Sequence, residues 1–189
     1  MRLHLATSAD WTRAVLSDFD AFLLDHASCE RKASATAMKL LAHYADRRFL
    51  ADAMVDLARE EMDHFCQVYR WIVVRGLTLG ADSKDEYVNA LSREVRRGAD
   101  TYLVDRLLVA GIVEARGCER LGLVANALPE GPLKDFYRDL TRAEGRHHGL
   151  FVRVAREYFA AGEVESRLEE LLEREAILLR SLPIRAAVH

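Results

Sequence analysis

The sequence predicts an all-α fold, a four-helix bundle with a crossover segment and additional N- and C-terminal helices. Three observations carry that prediction. Only 3 of the 189 residues are proline, while Ala, Leu, Glu and Arg abound. Apolar residues recur at steps of three and four along four long segments. Two of those segments carry a Glu-x-x-His pair, Glu61/His64 and Glu144/His147, and each pair has another glutamate one helical hairpin upstream. A chain of this length fits one domain, 1–189, with its core bundle at roughly 18–160.

The segment from Ser8 to Ser17 reads as a short helix, and "SDFD" at 17–20 supplies capping residues for the next. A long helix then runs to about Tyr44 with the row Phe19, Leu23, Ala27, Ala33, Ala37, Leu41 and Tyr44, and Glu30 falls in that row. A short polar connection at 45–47 leads to a second long helix ending near "RGLTLG" at 75–80. Its row is Met54, Leu57, Glu61, His64, Val68 and Trp71. Residues 81–98 read as a polar crossover with a short helix around 86–97.

The third long helix, from about Thr101 to Leu128, aligns Leu107, Ala110, Glu114, Cys118, Leu121, Ala125 and Leu128. "LPEGP" at 128–132 breaks the chain, because proline and glycine punctuate helices. The fourth helix starts near Pro132. It carries the clearest period of the chain: Tyr137, Leu140, Glu144, His147, Phe151, Val154 and Tyr158. A last helix, about Glu163 to Ser181, is expected to pack outside the bundle, and Pro183 ends it.

Glutamate and histidine three residues apart share a helical face and can converge on one ion. One such pair means little in a chain this rich in glutamate. Their spacing means more: Glu30 precedes Glu61 by 31 residues and Glu114 precedes Glu144 by 30, so the chain reads as a duplicated hairpin. An acid on a core row is costly to bury unless it is paired or binds a metal. On the first helix the rival to Glu30 is Asp25, whose face, with Asp18, Lys32 and Lys39, looks solvated. On the third, the repeated "CER" at 29–31 and 118–120 points to Glu119. Helix phase and equal distance from the turn favour Glu114. Glu30, Glu61, His64, Glu114, Glu144 and His147 are therefore the candidate ligands of a dinuclear centre. Carboxylate and imidazole donors suit iron or manganese.

His148 points away from the row of His147. His26 lies one turn from Glu30, and His4, His43 and His189 form no convergent pattern. Gly111, Gly117 and Gly122 on the third helix either allow close packing or leave space near Glu114.

Cys29, Cys66 and Cys118 make no C-x-x-C pair, which argues for reduced thiols and against a rubredoxin-type iron site. No apolar block resembles a membrane span or signal segment, so the expected setting is the cytoplasm. The net charge of −3 excludes a strongly basic nucleic-acid protein, although it includes four ligand carboxylates that a metal cluster would neutralise.

"LLDHASCERKASATAM", "LAREEMDHF", "GIVEARGCERL" and "AEGRHHGLF", which surround the six candidates, resemble the ferritin-like di-iron proteins and, within them, the bacterial tRNA hydroxylases of the MiaE type. The resemblance covers nearly the whole chain. It implies an O2-dependent di-iron monooxygenase that hydroxylates the isopentenyl group of 2-methylthio-N6-isopentenyladenosine at tRNA position 37. It further implies two iron ions, an external electron donor or reductase, and contact with the tRNA anticodon loop. Arg93, Arg96, Arg97, Arg142 and Arg146 are the candidates for that RNA contact. The competing classes are a ferroxidase or iron-storage protein, a manganese catalase, and a metal-free helical interaction module.

Overall fold

The computed structural model describes residues 1–82, 84–99 and 101–189, so position 83 of the expected crossover lies outside the described residues. Every regular element among them is a helix: α1 (Ala9–Ser17), α2 (Phe19–His43), α3 (Arg48–Val74), α4 (Glu86–Ser92), α5 (Tyr102–Ala127), α6 (Pro132–Glu144), α7 (His147–Tyr158) and α8 (Ala161–Ser181). None of these helices is long and apolar enough to cross a membrane. The chain divides into two compact units. One holds Arg13–Ser83 and Arg185–Val188; the other holds Met1–Thr12, Lys84–Ile184 and His189.

The first unit is the α2/α3 hairpin. Asp18 caps α2 by accepting a hydrogen bond from the Ala21 N–H at 3.2 Å, satisfying a donor that helix geometry leaves orphaned. Two apolar seams meet: Phe22, Leu23, Ala27, Ala37 and Leu40 of α2, and Leu50, Met54, Leu57, Val68 and Ile72 of α3 are all buried. Each large side chain so buried contributes about 1.5–3 kcal/mol. Between the seams Ser34 donates its hydroxyl to the carbonyl of Ala58 at 2.8 Å. The α3 terminus is set by Gly76 at φ +70°. Gly76 N–H bonds to Val73 and Leu77 N–H to Ile72, a Schellman closure whose left-handed residue favours glycine.

The buried row of α2 is Phe22, Leu23, His26, Ala27, Glu30, Ser34, Ala37 and Leu40, so Phe19, Ala33, Leu41 and Tyr44 of the expected row are only half-buried. On the rival face Asp18 and Lys39 are exposed as expected, but Asp25 itself is half-buried. Its carboxylate accepts the backbone N–H of Val188 at 2.7 Å, and Ala187 and Val188 are buried. The C-terminal tail therefore docks on this unit.

The second unit is built around α5, which packs against α6, α7 and α8. The expected fourth long helix is two helices, α6 and α7. Gly145 is poor at holding a helix, and the N–H of Arg146 bonds three residues back to Ala143 rather than four, tightening the chain into a turn. The break falls inside Glu144-x-x-His147 yet leaves Glu144 4% and His147 3% exposed. Gly111 serves close packing: a Cβ there would lie 3.2 Å from Cβ of Phe151 and 3.3 Å from the carbonyl oxygen of His148.

Two charged networks fasten this unit. Arg116, fully buried, bonds Glu175 through Nε at 2.9 Å, Thr7 Oγ1 at 3.0 Å, the Leu5 carbonyl at 2.8 Å, and Glu119. Tyr87 donates to Glu175 at 2.9 Å, and Arg120 lies 4.9 Å from the centre of the Trp11 ring. Burial, reinforced by Arg116, pulls the Arg120 guanidinium down to about 10. The N-terminal segment is thus tied to α5, and α8 is tied to both α4 and α5. In the second network Asp105, fully buried, takes Arg96 on one side and Arg167 on the other.

Candidate metal centre

Glu30, Glu61 and His64 belong to the hairpin unit and are 6%, 1% and 6% exposed. α3 supplies Glu61 and His64 from adjacent turns of one face, and α2 supplies Glu30 across the seam. His64 Nδ1 lies 3.8 Å from Glu30 Oε2 and 3.8 Å from Glu61 Oε2. These separations exceed hydrogen-bond length. They fall within the span of about 4.2 Å open to two donors that each sit about 2.1 Å from one cation. The second oxygen of Glu30, Oε1, lies 2.7 Å from Nε2 of His26, which is fully buried.

Glu114, Glu144 and His147 belong to the other unit. Glu144 Oε2 and His147 Nδ1 are 2.8 Å apart, and Glu114 on α5 is half-buried. Cys118, one turn beyond Glu114, donates to the carbonyl of Thr141 at 3.6 Å. Burial first, then the charges of Glu144 and Glu114, push its thiol up, with His147 opposing.

Glu119, the rival of Glu114, is engaged elsewhere. Its carboxylate accepts the Thr7 N–H at 3.0 Å, the Thr7 hydroxyl at 2.7 Å, and Arg116. His148 is half-buried, and burial, then the N-terminal ammonium, then His147, pull its imidazole below the ordinary value. His4 pairs with Glu169 at 3.1 Å, His43 contacts the Lys39 carbonyl, and His189 stacks on Tyr87 with ring centres 5.4 Å apart.

All five arginine candidates are exposed. Arg96 places its backbone N–H, Nε and Nη2 on Asp105, and Arg142 pairs with Asp139 at 3.0 Å. Arg93 follows α4, and Arg97 comes shortly after it. Arg146 occupies the turn between α6 and α7.

Sequence reasoning gave His26 little weight. The available signal was its place in the row Phe22, His26, Glu30, Ser34, where a polar ring among buried positions needs a polar partner.

Each unit thus carries carboxylate and imidazole donors of the kind that suit iron or manganese: buried Glu30, Glu61 and His64 in one, and buried Glu144 and His147 with half-buried Glu114 in the other. Known proteins bear on this set. The sequence pattern of the family described as "tRNA-(MS[2]IO[6]A)-hydroxylase (MiaE)" matches residues 1–189. A tRNA 2-(methylsulfanyl)-N(6)-isopentenyladenosine(37) hydroxylase of Pseudomonas putida is 36% identical over 179 residues, which is 95% of this chain and 87% of that protein. Its counterpart from Salmonella typhimurium is 33% identical over 134 residues, 71% of this chain and 49% of that protein. A solved structure described as "Protein 43 with aldehyde deformylating oxygenase activity from Synechococcus" superposes with a TM-score of 0.94 at 34% identity, covering 100% of this chain and 96% of its own. The fold is the ferritin-like one.

Proposed function

The chain belongs to the MiaE family of tRNA hydroxylases, and from that premise we propose that its two half-sites hold one dinuclear iron centre that hydroxylates the isopentenyl group of 2-methylthio-N6-isopentenyladenosine at tRNA position 37. The proposed ligands are Glu30, Glu61 and His64 from one unit and Glu114, Glu144 and His147 from the other, so that both units serve a single domain.

The observation that carries this reading is the burial of Glu30, Glu61 and Glu144, none more than 6% exposed, each beside an imidazole. A buried carboxylate costs several kcal/mol unless a charge offsets it. Bound cations supply that offset for all of them, while neutral histidines add donors without adding charge. When bound, iron supplies the redox chemistry of dioxygen that side chains lack. The chain contributes position and dryness. Leu57 and Val68 flank the α3 pair, and Tyr137, Leu140, Phe151 and Val154 flank the Glu144/His147 pair; all six are at most 4% exposed.

Hydroxylation places one oxygen atom of O2 in a C–H bond and releases the other as water. Two electrons and two protons must therefore come from outside, which calls for a separate reductase or electron donor. The RNA-facing role is assigned to the exposed Arg93, Arg96, Arg97, Arg142 and Arg146, of which Arg96 also bonds Asp105 and Arg142 also pairs with Asp139. A cytoplasmic setting accords with a tRNA substrate and with cysteines 29, 66 and 118, all free thiols.

The test is turnover. Iron-loaded protein with reductant, O2 and tRNA carrying the prenylated nucleoside should yield that nucleoside heavier by one oxygen atom in mass spectrometry. No mass gain by fully loaded protein counts against the substrate. Turnover of an aldehyde in its place would favour the activity named for the Synechococcus protein.

A further inference from the structure

The sequence string around Glu30 contains a histidine that the ligand set does not use. His26 is fully buried on α2, one turn before Glu30. Its Nε2 lies 2.7 Å from Glu30 Oε1, a short distance typical of a charge-assisted contact. The ring is stacked against buried Phe22, with centres 5.8 Å apart and planes 29° apart. Phe22 therefore limits the ring's rotation. The two oxygens of Glu30 face different partners: Oε1 meets His26, and Oε2 lies 3.8 Å from Nδ1 of His64.

We propose that His26 is a positioning residue that holds Glu30 Oε1 by hydrogen bond and so presents Oε2 alone to the metal beside His64. The proposal rests on the dinuclear reading above. An ionised carboxylate only accepts hydrogen bonds, so the contact requires the His26 hydrogen on Nε2. A ligand carboxylate free to rotate about its last bond can bind through either oxygen or both. Fixing one oxygen removes that freedom before the metal arrives and leaves Glu30 a one-oxygen ligand. Hydrogen-bond partners of this kind typically change metal affinity by about 10–100-fold when removed. Because the hold acts only through Glu30, it affects the ion near Glu30 and His64, while the donors Glu144 and His147 lie in the other unit.

The experiment compares full-length wild type with His26→Phe and His26→Gln. The amide of Gln can still donate to Glu30, whereas Phe keeps the stacked ring and removes the donor. Each protein is titrated with Co(II), a redox-inert probe, in competition with a chromophoric chelator, and the d–d absorption of each bound ion is recorded. Melting of the metal-free proteins runs in parallel. The expected result is that His26→Phe weakens one of two bound ions by about 10–100-fold and alters its absorption band, leaves the other ion unchanged, and that His26→Gln restores most of the loss.

Equal affinity and unchanged spectra for both ions in His26→Phe would overturn the proposal. So would equal weakening of both ions in both variants together with a lower metal-free Tm, because that is the signature of a structural residue. Failure of the dinuclear reading shows separately, as wild type that does not bind two ions.

Discussion

Replacing Asp105 with Asn changes one atom and removes one charge from a site that is closed to water. The Asp105 carboxylate is fully buried and accepts from the Arg96 N–H at 2.9 Å, from Arg96 Nη2 at 2.7 Å, and from Arg167 Nε and Nη2 at 3.1 and 2.8 Å. Asn keeps one acceptor oxygen and turns an NH2 toward two guanidinium groups, which have only donors. Breaking a buried ion pair from one side costs about 3–5 kcal/mol. The low end applies here. The Arg96 side chain is 43% exposed and can turn to water, and Arg167 retains Glu170 at 2.8 Å. About 3 kcal/mol then corresponds to a Tm lower by about 6–12 °C for a chain of this size.

The acid response of Asp105→Asn adds a second check. Burial would raise the Asp105 pKa, but hydrogen bonds from Arg96 and Arg167 outweigh it and leave the value lowered. A carboxyl whose pKa is lower folded than unfolded stabilises the fold above its unfolded value and loses that contribution as pH falls through the folded one. The advantage of wild type over Asp105→Asn should therefore be complete at neutral pH and shrink below about pH 4. Urea unfolding of both proteins from pH 7 to pH 3 measures it. A difference under about 1 kcal/mol at pH 7, or one that stays constant into acid, would refute the reasoning.

Two further substitutions separate roles within α5. Glu114→Ala should lose at least one iron per chain by elemental analysis. Glu119→Ala should keep its iron and lower the Tm, because Glu119 holds Thr7 and Arg116; the reverse pattern would exchange the two assignments. Gly122→Ala should stabilise the protein by about 0.5–1 kcal/mol, since the new Cβ would meet Thr141 Cγ2 at an ordinary 3.4 Å and glycine is a poor helix residue. Gly111→Ala should not share that gain, because its Cβ would press on Phe151 and the His148 carbonyl, and calorimetry showing equal stabilisation would contradict the packing account.

What periodicity could reveal was local. The rows of α3 and of α6 with α7 come directly from steps of three and four. Leu57, Glu61, His64 and Val68, and Tyr137, Leu140, Glu144 and His147, are all buried as those rows require. The α2 row was displaced because its alanine-rich stretch offers little contrast between adjacent faces, so the stripe that meets α3 is not distinguished by sequence. The turn at Gly145 and Arg146 was hidden by an unbroken apolar row, since a tightened turn need not disturb the buried face.

Long-range contacts were beyond any such reading. Asp25 meets Val188 across 163 residues, and Arg116 meets Leu5 and Glu175 across 111 and 59. Asp25 looks solvated when judged by its own helix. His26 was legible only as a polar residue in a buried row, and its meaning required the 2.7 Å contact with Glu30.

The central claim is that the two half-sites share one pair of ions. Its most direct measurement is the iron content and magnetic state of anaerobically loaded, then oxidised, full-length protein, read by elemental analysis and Mössbauer spectroscopy. A shared pair predicts two irons per chain whose spins are coupled. One iron per chain, or two that behave as isolated ions, would contradict it.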